Sequence, residues 1–386
     1  MTSTEKLDDW NIPLYKIYTD DEDVNLITKI VKRGNTWAIG PEIEEFEKSL
    51  AEYVGSTYCL TLNSGTSSLH ASFLALDFKK NDEIIVPSFS FISTSNSVLF
   101  VDSTPVFADI ENETFGLDPD DVSSKISEKT KAIVPMDYGG NPCKIPELKK
   151  VAKDNDLFLI EDAAEALGSS INGKKIGSMS DISIFSFCGN KVITTGEGGA
   201  ITTDSKSVYE KIKLIRSHGR SDKIQYFNNP SDSQYTQLGY NWRMSSITAA
   251  LGISQLNKLD KIVQMRQKNA EELTSKLKKF PQIKTTNVDS TRKNIFQMYT
   301  VRLDSQQLRD DLHQFLLKKR IFSKIYFNPI HLSDFYKSRF HLELGSLPKT
   351  EQISSQVLTL PLYPNMTTEE KEFLIHSISD FFENLS

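Results

Sequence analysis

The sequence predicts an α/β fold, with a helix-flanked, mostly parallel sheet in a large domain and a smaller C-terminal α+β domain. Three observations predict it. From about residue 42 onward, strand-like segments alternate with helical ones, which is typical of βαβ units. The strands are short and apolar throughout, as expected for strands that helices cover on both faces. The chain of 386 residues is also long enough to bury a large core.

The elements of the large domain follow from periodicity. The helix EIEEFEKSLAEYVG places Ile43, Phe46, Leu50 and Tyr53 on one face. YCLTL is then a strand, TSSLHASFLALDF a helix, EIIVPSF a strand and FISTSNSVLF a helix. The apolar runs PVFADI, AIVPM, LFLIED and ISIFSF are predicted as buried strands. IPELKKVAKDND supplies a crossover helix between two of them.

The C-terminal part has a different pattern. A long helical tract is predicted from about residue 245 to 280, ending near Pro281. Beyond it, the strand FQMYTVRL is mixed with the helices SQQLRDDLHQFLLKKR and TEEKEFLIHSISDFF. We therefore predict an N-terminal segment (1–35), a large domain (36–265) and a small C-terminal domain (266–386).

Composition excludes some classes of function. A formal net charge of -6 argues against nucleic acid or an anionic membrane as the main partner, although a local basic pocket for a phosphorylated small molecule remains open. The three cysteines lack metal-ligand spacing, so we expect no metal site and a reducing compartment. The first residues carry no apolar signal region and no apolar run reaches membrane-spanning length, so a cytoplasmic location is expected.

The stretch LTLNSGTSSLH places Asn63, Ser64, Gly65 and Thr66 between a strand and a helix. A helix start offers free N–H groups and the positive end of the helix dipole, which suits a phosphate group. On this stretch alone, an ordinary helix cap by Ser or Thr explains the same residues.

LFLIEDAAEALGS ends a predicted buried strand with two acids, Glu161 and Asp162. Ligands of open α/β sheets bind at the carboxyl ends of strands, and a carboxylate there can keep a nearby ring nitrogen protonated. Locally, an Asp that caps the next helix is an equal alternative. Glu165 follows about one turn later.

Lys191 lies just after another predicted strand, in SFCGNKVITTGEGGA, and the glycines that follow allow tight backbone paths. A lysine in a partly desolvated pocket can act as a nucleophile towards an aldehyde, whereas the simpler alternative is a surface lysine in a hairpin. PSFSFISTS adds Phe89 and Phe91 near a strand end, either as a flat surface for a ring or as core residues. Phosphate donors, an aromatic surface, an acid and an amine together meet the requirements of pyridoxal phosphate.

At these residues the chain resembles the sugar aminotransferases of the DegT/DnrJ/EryC1/StrS family, which have the fold-type-I (aspartate aminotransferase-like) architecture. Eight motifs in order carry the resemblance over nearly the whole chain: NTWAIGPEIEEFE, NSGTSSLH, PSFSFIST, EDAAEALGS, SFCGNKVITTGEGG, GYNWRMSSITAALG, NPIHL and LPLYPNMT.

The resemblance implies a role for each site residue. Lys191 is expected to hold pyridoxal phosphate covalently and to move the proton, and Asp162 to pair with its ring nitrogen. The remaining expected cofactor contacts are the stacking Phe91, the phosphate ligands Gly65, Thr66 and Ser186, the ring neighbour Glu165, and Asn241 from the neighbouring subunit of a homodimer. Trp37 and His331 belong to segments expected to line the sugar-nucleotide side.

The implied activity is transfer of an amino group from an amino acid, expected to be L-glutamate, to a nucleotide-linked keto-sugar for polysaccharide biosynthesis. The motifs around the cofactor are most similar to the branch that converts GDP-4-keto-6-deoxy-mannose to GDP-perosamine. UDP- or dTDP-linked 3- or 4-keto-sugars are the alternative substrates. A noncatalytic regulatory protein that binds pyridoxal phosphate is the remaining alternative, which the intact lysine and acid disfavour.

Overall fold

The computed structural model describes residues 10–221, 234–286 and 289–384. Their strands are β1 (Tyr58–Leu62), β2 (Glu83–Pro87), β3 (Thr104–Ala108), β4 (Thr130–Ile133), β5 (Phe158–Asp162), β6 (Ser170–Ile171), β7 (Lys174–Lys175), β8 (Ile182–Ser186), β9 (Gly199–Thr203), β10 (Ile283–Thr285), β11 (Arg292–Lys293), β12 (Tyr299–Leu303) and β13 (Val357–Leu360). The predicted strands of the large domain are therefore present, each within a few residues of its expected bounds.

The helices enclose the strands as the alternating pattern predicts. They are α1 (Asp21–Arg33), α2 (Pro41–Val54), α3 (Gly65–Ala75), α4 (Ser93–Leu99), α5 (Pro119–Ser124), α6 (Ile145–Asp154), α7 (Lys206–Ile215), α8 (Ser246–Asn257), α9 (Leu259–Leu277), α10 (Gln306–Lys318), α11 (Asp334–Phe340), α12 (Pro348–Gln356) and α13 (Thr368–Glu383). None of the helices in the described ranges is long and apolar enough to cross a membrane.

The central sheet has the strand order β1-β9-β8-β5-β4-β2-β3. All neighbouring pairs from β8 to β3 are parallel, whereas β9 is antiparallel to both β1 and β8. The α/β prediction with a mostly parallel sheet is thus confirmed. Strand β9 lies in the glycine-rich stretch that the pattern left unassigned, and it forms a hairpin with β8 around the loop that carries Lys191.

Residues that alternate along one strand pack on opposite faces of this sheet. In β2, Ile84 and Val86 belong to the core on one face, and Ile85 belongs to the core on the other. Each of these side chains is fully buried. Burial on both faces explains why the strands are apolar at every position rather than at every second one.

A smaller antiparallel sheet, β10-β12-β13, organises the C-terminal part. The predicted strand FQMYTVRL begins only at Tyr299, because Phe296 has a positive φ of 51° that ends any extended run. The predicted long helical tract is divided at Lys258, which has φ -109° and ψ 8° between α8 and α9.

The N-terminal segment joins both parts of the molecule, although residues 1–9 of the predicted segment 1–35 lie outside the described residues. Ile12 pairs with Ile321 in a parallel bridge and is buried in the C-terminal core. Further on, the carboxyl group of Asp23 in α1 accepts hydrogen bonds from Gln255, 3.1 Å from each oxygen, and forms a 2.9 Å ion pair with Lys258.

Helix α9 also connects the two parts. Its first residues, Leu259 and Val263, pack in a core of the large sheet, whereas Leu273 and Leu277 pack in the C-terminal core. The predicted boundary at 265–266 therefore falls within a continuous helix, and the division into domains stays a prediction.

Candidate active site

Four of the predicted site residues lie at or just beyond the carboxyl ends of strands of the central sheet. Asp162 ends β5, Ser186 ends β8, Gly65 follows β1 and Phe91 follows β2. Since these four strands run in the same direction, their carboxyl ends meet at the same edge, which is where open α/β sheets bind ligands. The sheet topology thus brings together residues that are more than 100 positions apart in the sequence.

The carboxyl group of Asp162 is buried, with 3% of the residue exposed. Its Oδ2 accepts a 2.7 Å hydrogen bond from the Thr94 hydroxyl, and its Oδ1 accepts one of 3.2 Å from the N–H of Ala164. Burial raises the pKa of Asp162, and the bond from Thr94 is the largest effect in the opposite direction. A nearby cation would stabilise the ionised form further.

Thr94 and Ser90 are site residues that the sequence analysis missed. The two hydroxyl groups lie 2.8 Å apart, and both residues are buried. They form a short hydrogen-bonded chain that ends on Asp162. Both lie in the polar stretch SFSFISTS, which leads from β2 into α4, and that concentration of hydroxyl groups beyond a strand end is the signal that could have indicated them.

Lys191 lies in the loop between β8 and β9, with 13% of its side chain exposed. Its Nζ is 3.3 Å from Oε1 of Glu165, whose side chain is 6% exposed. The other oxygen, Oε2, accepts a 2.9 Å hydrogen bond from the N–H of Gly139. The hairpin alternative is therefore right about the local backbone, but Lys191 is not a solvated surface lysine.

Gly139 is a further residue that the motifs did not indicate. It lies in a short 3₁₀ turn, Tyr138–Gly140, beyond β4, and its φ of 63° is in the left-handed region that favours glycine. This conformation directs its N–H towards Glu165. The turn therefore fixes the carboxylate that faces Lys191.

The start of α3 combines a helix cap with a concave surface. Ser64 and Ser67 form a reciprocal capping box, so the cap interpretation is correct for Ser64. The N–H groups of Gly65 and Thr66 belong to the first turn, where a helix provides no acceptors. A Cβ atom at Gly65 would lie 3.0 Å from Cβ of Ser186, so any larger residue would push Ser186 away from this position.

The two phenylalanines of PSFSFISTS differ in their surroundings. Phe89 is fully buried and its ring centroid lies 4.9 Å from that of Tyr138, as the core alternative predicts. Phe91 is 58% exposed at the start of the turn leading into α4, three residues before Thr94. It therefore has apolar surface available for a flat ring near Asp162.

No hydrogen bond or ion pair among the described residues joins Asn241, Trp37 or His331 to Lys191. Asn241 is exposed and forms an isolated bridge with Ser217. Trp37 is 45% exposed, and its indole N–H donates a 3.0 Å hydrogen bond to the carbonyl of Ile30. Both residues leave polar or aromatic surface open to a ligand or a second subunit.

His331 is placed differently from a simple substrate contact. It is fully buried, with Nδ1 2.7 Å from the Ser88 hydroxyl and Nε2 3.1 Å from a carboxylate oxygen of Glu351. Burial lowers the pKa of its imidazole. The ring fastens the segment Ile330–Leu332 to the end of β2 rather than facing solvent, and a role for this segment in substrate binding stays a prediction.

The residues at this edge fit pyridoxal phosphate. Asp162 could offer a buried carboxylate to a ring nitrogen and Lys191 an amine to an aldehyde, and the side chain of Ser186 lies close to Gly65 at a helix start that suits a phosphate. The fold and the site together define a class of protein, a fold-type-I enzyme dependent on pyridoxal phosphate.

Comparisons with known proteins narrow this class. Residues 18–379 match the DegT/DnrJ/EryC1/StrS aminotransferase family. The GDP-perosamine synthase of Caulobacter vibrioides is 35% identical over 89% of this chain and 91% of its own length. The UDP-4-amino-4,6-dideoxy-N-acetyl-beta-L-altrosamine transaminase of Campylobacter jejuni is 32% identical over 95% and 96%. A putative sugar aminotransferase from Streptococcus pneumoniae, solved in its PLP form, superposes with a TM-score of 0.90 at 26% identity, covering 98% of this chain and all of that one.

The chain belongs to the DegT/DnrJ/EryC1/StrS aminotransferase family. It is an enzyme that uses pyridoxal phosphate to transfer an amino group to nucleotide-linked sugars. The predictions of family, fold, cofactor and enzyme class are confirmed.

Proposed function

We propose that Lys191 and Asp162 are the catalytic residues of this aminotransferase. The observation that carries the proposal is their placement at one edge of the sheet. Asp162 is buried and bonded to Thr94, and the amine of Lys191, whose side chain is largely buried, lies 3.3 Å from Glu165. In this proposal Gly65, Thr66 and Ser186 bind the cofactor phosphate, Phe91 covers the ring, and Glu165 lies beside it.

Each of these residues has a distinct task. Pyridoxal phosphate, when bound, supplies an aldehyde that accepts an amino group and a ring that stabilises negative charge on the adjacent carbon. Asp162 keeps a ring nitrogen protonated because a buried carboxylate stabilises a positive charge beside it. Lys191 moves a proton at its Nζ, and Glu165, 3.3 Å away, orients that amine. The low exposure of both acids keeps water from weakening these interactions.

We propose GDP-4-keto-6-deoxy-mannose as the amino-group acceptor, L-glutamate as the donor and GDP-perosamine as the product. The support is the similarity of the cofactor motifs and the 35% identity to a GDP-perosamine synthase. A UDP-linked sugar is the second candidate, since a relative of similar identity is named for one. dTDP-linked and 3-keto sugars are the remaining alternatives.

The test compares catalytic efficiency, kcat/KM, across GDP-, UDP- and dTDP-linked 4-keto-6-deoxy sugars with glutamate as donor. We expect the GDP-linked sugar to be favoured by about 10-fold or more, since one unpaired buried group on the base costs about 1–3 kcal/mol. Preference for a UDP- or dTDP-linked acceptor would overturn the choice of nucleotide and leave the aminotransferase activity intact. A 3-keto isomer of the preferred sugar is the matched control for the position of amination.

We also propose that the working unit is a homodimer in which Asn241 of one subunit reaches the cofactor phosphate of the other. Asn241 is exposed and has no contact with Lys191 or Ser186 of its own chain among the described hydrogen bonds. Exposed apolar side chains near it, Tyr235 and Leu238, supply surface that a second subunit would cover.

A further inference from the structure

A short irregular segment, residues 294–298, connects β11 with β12 and is held by two neighbouring residues of α9. Arg266 is buried, and its guanidinium donates hydrogen bonds of 2.9 and 2.6 Å to the carbonyl of Phe296 and one of 2.8 Å to that of Gln297. Gln267 donates a 2.8 Å hydrogen bond to the carbonyl of Asn294. The 294–298 segment is thus fixed to a helix that spans both parts of the molecule.

The same segment reaches the loop that carries Lys191. The side-chain Nε2 of Gln297 donates a 2.7 Å hydrogen bond to the carbonyl of Asn190, the residue immediately before Lys191. Gln297 is 6% exposed, so water competes little for this bond. A contact across 107 positions of sequence therefore fixes the backbone next to the amine.

The segment also holds the carboxylate partner of Lys191. The N–H of Met298 donates a 3.1 Å hydrogen bond to the carbonyl of Gly139, and the N–H of Gly139 in turn binds Oε2 of Glu165. The 294–298 segment is therefore bonded both to the backbone next to Lys191 and to Gly139, which holds the carboxylate of Glu165.

We propose that Gln297 is a positioning residue for Lys191: by bonding the Asn190 carbonyl from the segment that also anchors Gly139 and Glu165, it sets the position of the amine relative to the reacting atoms. The inference rests on the proposed role of Lys191 as the cofactor lysine. Displacement of a reacting group by about 1 Å can lower a rate by about 100-fold, so a backbone bond one residue away has enough leverage.

A purely structural role for Gln297 would not account for the surroundings of its side-chain oxygen. Its Oε1 is buried and has no hydrogen-bond partner among the described residues, whereas buried amides in a core normally satisfy both ends. Only the end that faces Asn190 is used for a side-chain hydrogen bond. An unsatisfied buried oxygen costs stability, as expected of a residue whose role is to position Asn190 rather than to stabilise the fold.

The test compares Gln297→Met with Gln267→Met in the full-length holoenzyme. Both replacements remove one amide that donates to a backbone carbonyl, at 2.7 and 2.8 Å, and both keep the side-chain length. Of these two hydrogen bonds, the one from Gln297 ends on the loop that carries Lys191, whereas the one from Gln267 ends within the 294–298 segment. Gln267→Met is therefore the matched control for loss of a hydrogen bond to a backbone carbonyl. Gln297→Asn, which keeps an amide but withdraws it from Asn190, is the second variant should Gln297→Met not fold.

Three quantities are measured. The first is the single-turnover rate of the half-reaction with glutamate, followed by the absorbance of the bound cofactor. The second is KM for the nucleotide sugar, and the third is the site of borohydride labelling by peptide mapping. We expect Gln297→Met to lower the single-turnover rate about 10- to 100-fold, with KM changed less than about 3-fold, and Gln267→Met to stay within about 3-fold of wild type.

The outcomes separate this inference from the proposed function. Borohydride labelling of wild type at a lysine other than Lys191 would remove the proposed role of Lys191 itself. Labelling at Lys191 with equal single-turnover rates in the two Met variants would overturn only the positioning role of Gln297. A KM increase without a change in the single-turnover rate would also overturn it, because it would place Gln297 in substrate binding.

Discussion

The carboxyl group of Asp162 shows how a single residue is prepared for its task. Burial alone raises its pKa and would favour the neutral acid. The Thr94 hydroxyl and the Ala164 N–H, at 2.7 and 3.2 Å, donate to the two oxygens and so favour the carboxylate. The acid is thereby both desolvated and oriented, which strengthens its interaction with a ring nitrogen.

The first prediction concerns this carboxylate and its donor. Asp162→Asn should lower turnover by roughly 100-fold or more, because the ring nitrogen loses its counter-charge. Thr94→Val, which keeps the shape of the side chain and removes the hydroxyl, should lower turnover by about 10-fold. Steady-state kcat with glutamate and a keto-sugar is the measurement.

Thr94→Ser is the matched control, since it keeps the hydroxyl and should remain within about 3-fold of wild type. Circular dichroism and retained pyridoxal phosphate show whether each variant is folded. Near-normal turnover in folded Asp162→Asn would mean that another group protonates the ring.

At the scale of one element, α3 combines a capped start, where we propose that the cofactor phosphate binds, with an aromatic cluster around His70. His70, one turn after Thr66, packs its ring against those of Phe100, Tyr240 and Trp242, with centroids 4.9 to 5.5 Å apart. Its Nε2 has no hydrogen-bond partner within the described chain. Desolvation accordingly lowers the pKa of His70 to about 4.

The second prediction follows from this lowered pKa. The unfolded chain binds a proton at the ordinary value of 6.5, whereas the folded protein does so only near pH 4. The unfolded state therefore holds more protons between these values, and the free energy of unfolding falls as pH decreases from about 6.5 towards 4. His70→Phe, which keeps the aromatic packing, should reduce this loss of stability.

Urea-denaturation midpoints at about pH 7 and about pH 5 are the measurement, because the histidine changes charge in the unfolded state between them. His376→Gln, an exposed position on α13, is the control and should show the wild-type difference. An unchanged difference between the two midpoints in His70→Phe would show that His70 does not titrate as its surroundings indicate.

At the scale of the whole molecule, several residues predicted to bind the cofactor or the substrate present surface to solvent. Phe91 and Trp37 are partly exposed, and Asn241 is exposed as well. The N-terminal segment and α9 tie the two parts of one chain together through Ile12, Asp23 and the two cores that α9 enters.

The third prediction tests whether the site is shared between subunits. In a mixed dimer of Lys191→Ala and Asn241→Ala chains, one site combines an intact Lys191 from one chain with an intact Asn241 from the other. At a pyridoxal phosphate concentration too low to load the Asn241→Ala sites, random exchange should therefore restore about a quarter of wild-type activity, since half of the dimers are mixed and each has one intact site. Activity is measured after exchange under mild denaturant.

Exchange of the Lys191→Ala chain with tagged wild type, followed by affinity capture, is the control that subunits actually mix. If mixing is proven and activity does not return, Asn241 does not complete a partner's site. Weak retention of pyridoxal phosphate by Asn241→Ala alone, restored by excess cofactor, would be consistent with a contact to the phosphate.

The sequence by itself determined the class of fold and predicted which residues form the site. Alternating strands and helices predict a parallel sheet because only helices on both faces bury strands that are apolar at every position. Asp162 and Lys191 could each be placed at or just after the end of a buried strand, which is where open α/β sheets bind ligands. The eight motifs then predicted the family and its cofactor.

Only the tertiary structure decided which distant side chains form hydrogen bonds to those residues or to the backbone beside them. Thr94 meets Asp162 across 68 positions and Gln297 meets Asn190 across 107, and no local pattern encodes such pairs. The structure also showed that β9 is antiparallel to β8, that the long helical tract is divided at Lys258 and that His331 is buried. The physical reason is that periodicity reports which face of an element is apolar, whereas hydrogen-bond partners depend on where distant elements pack.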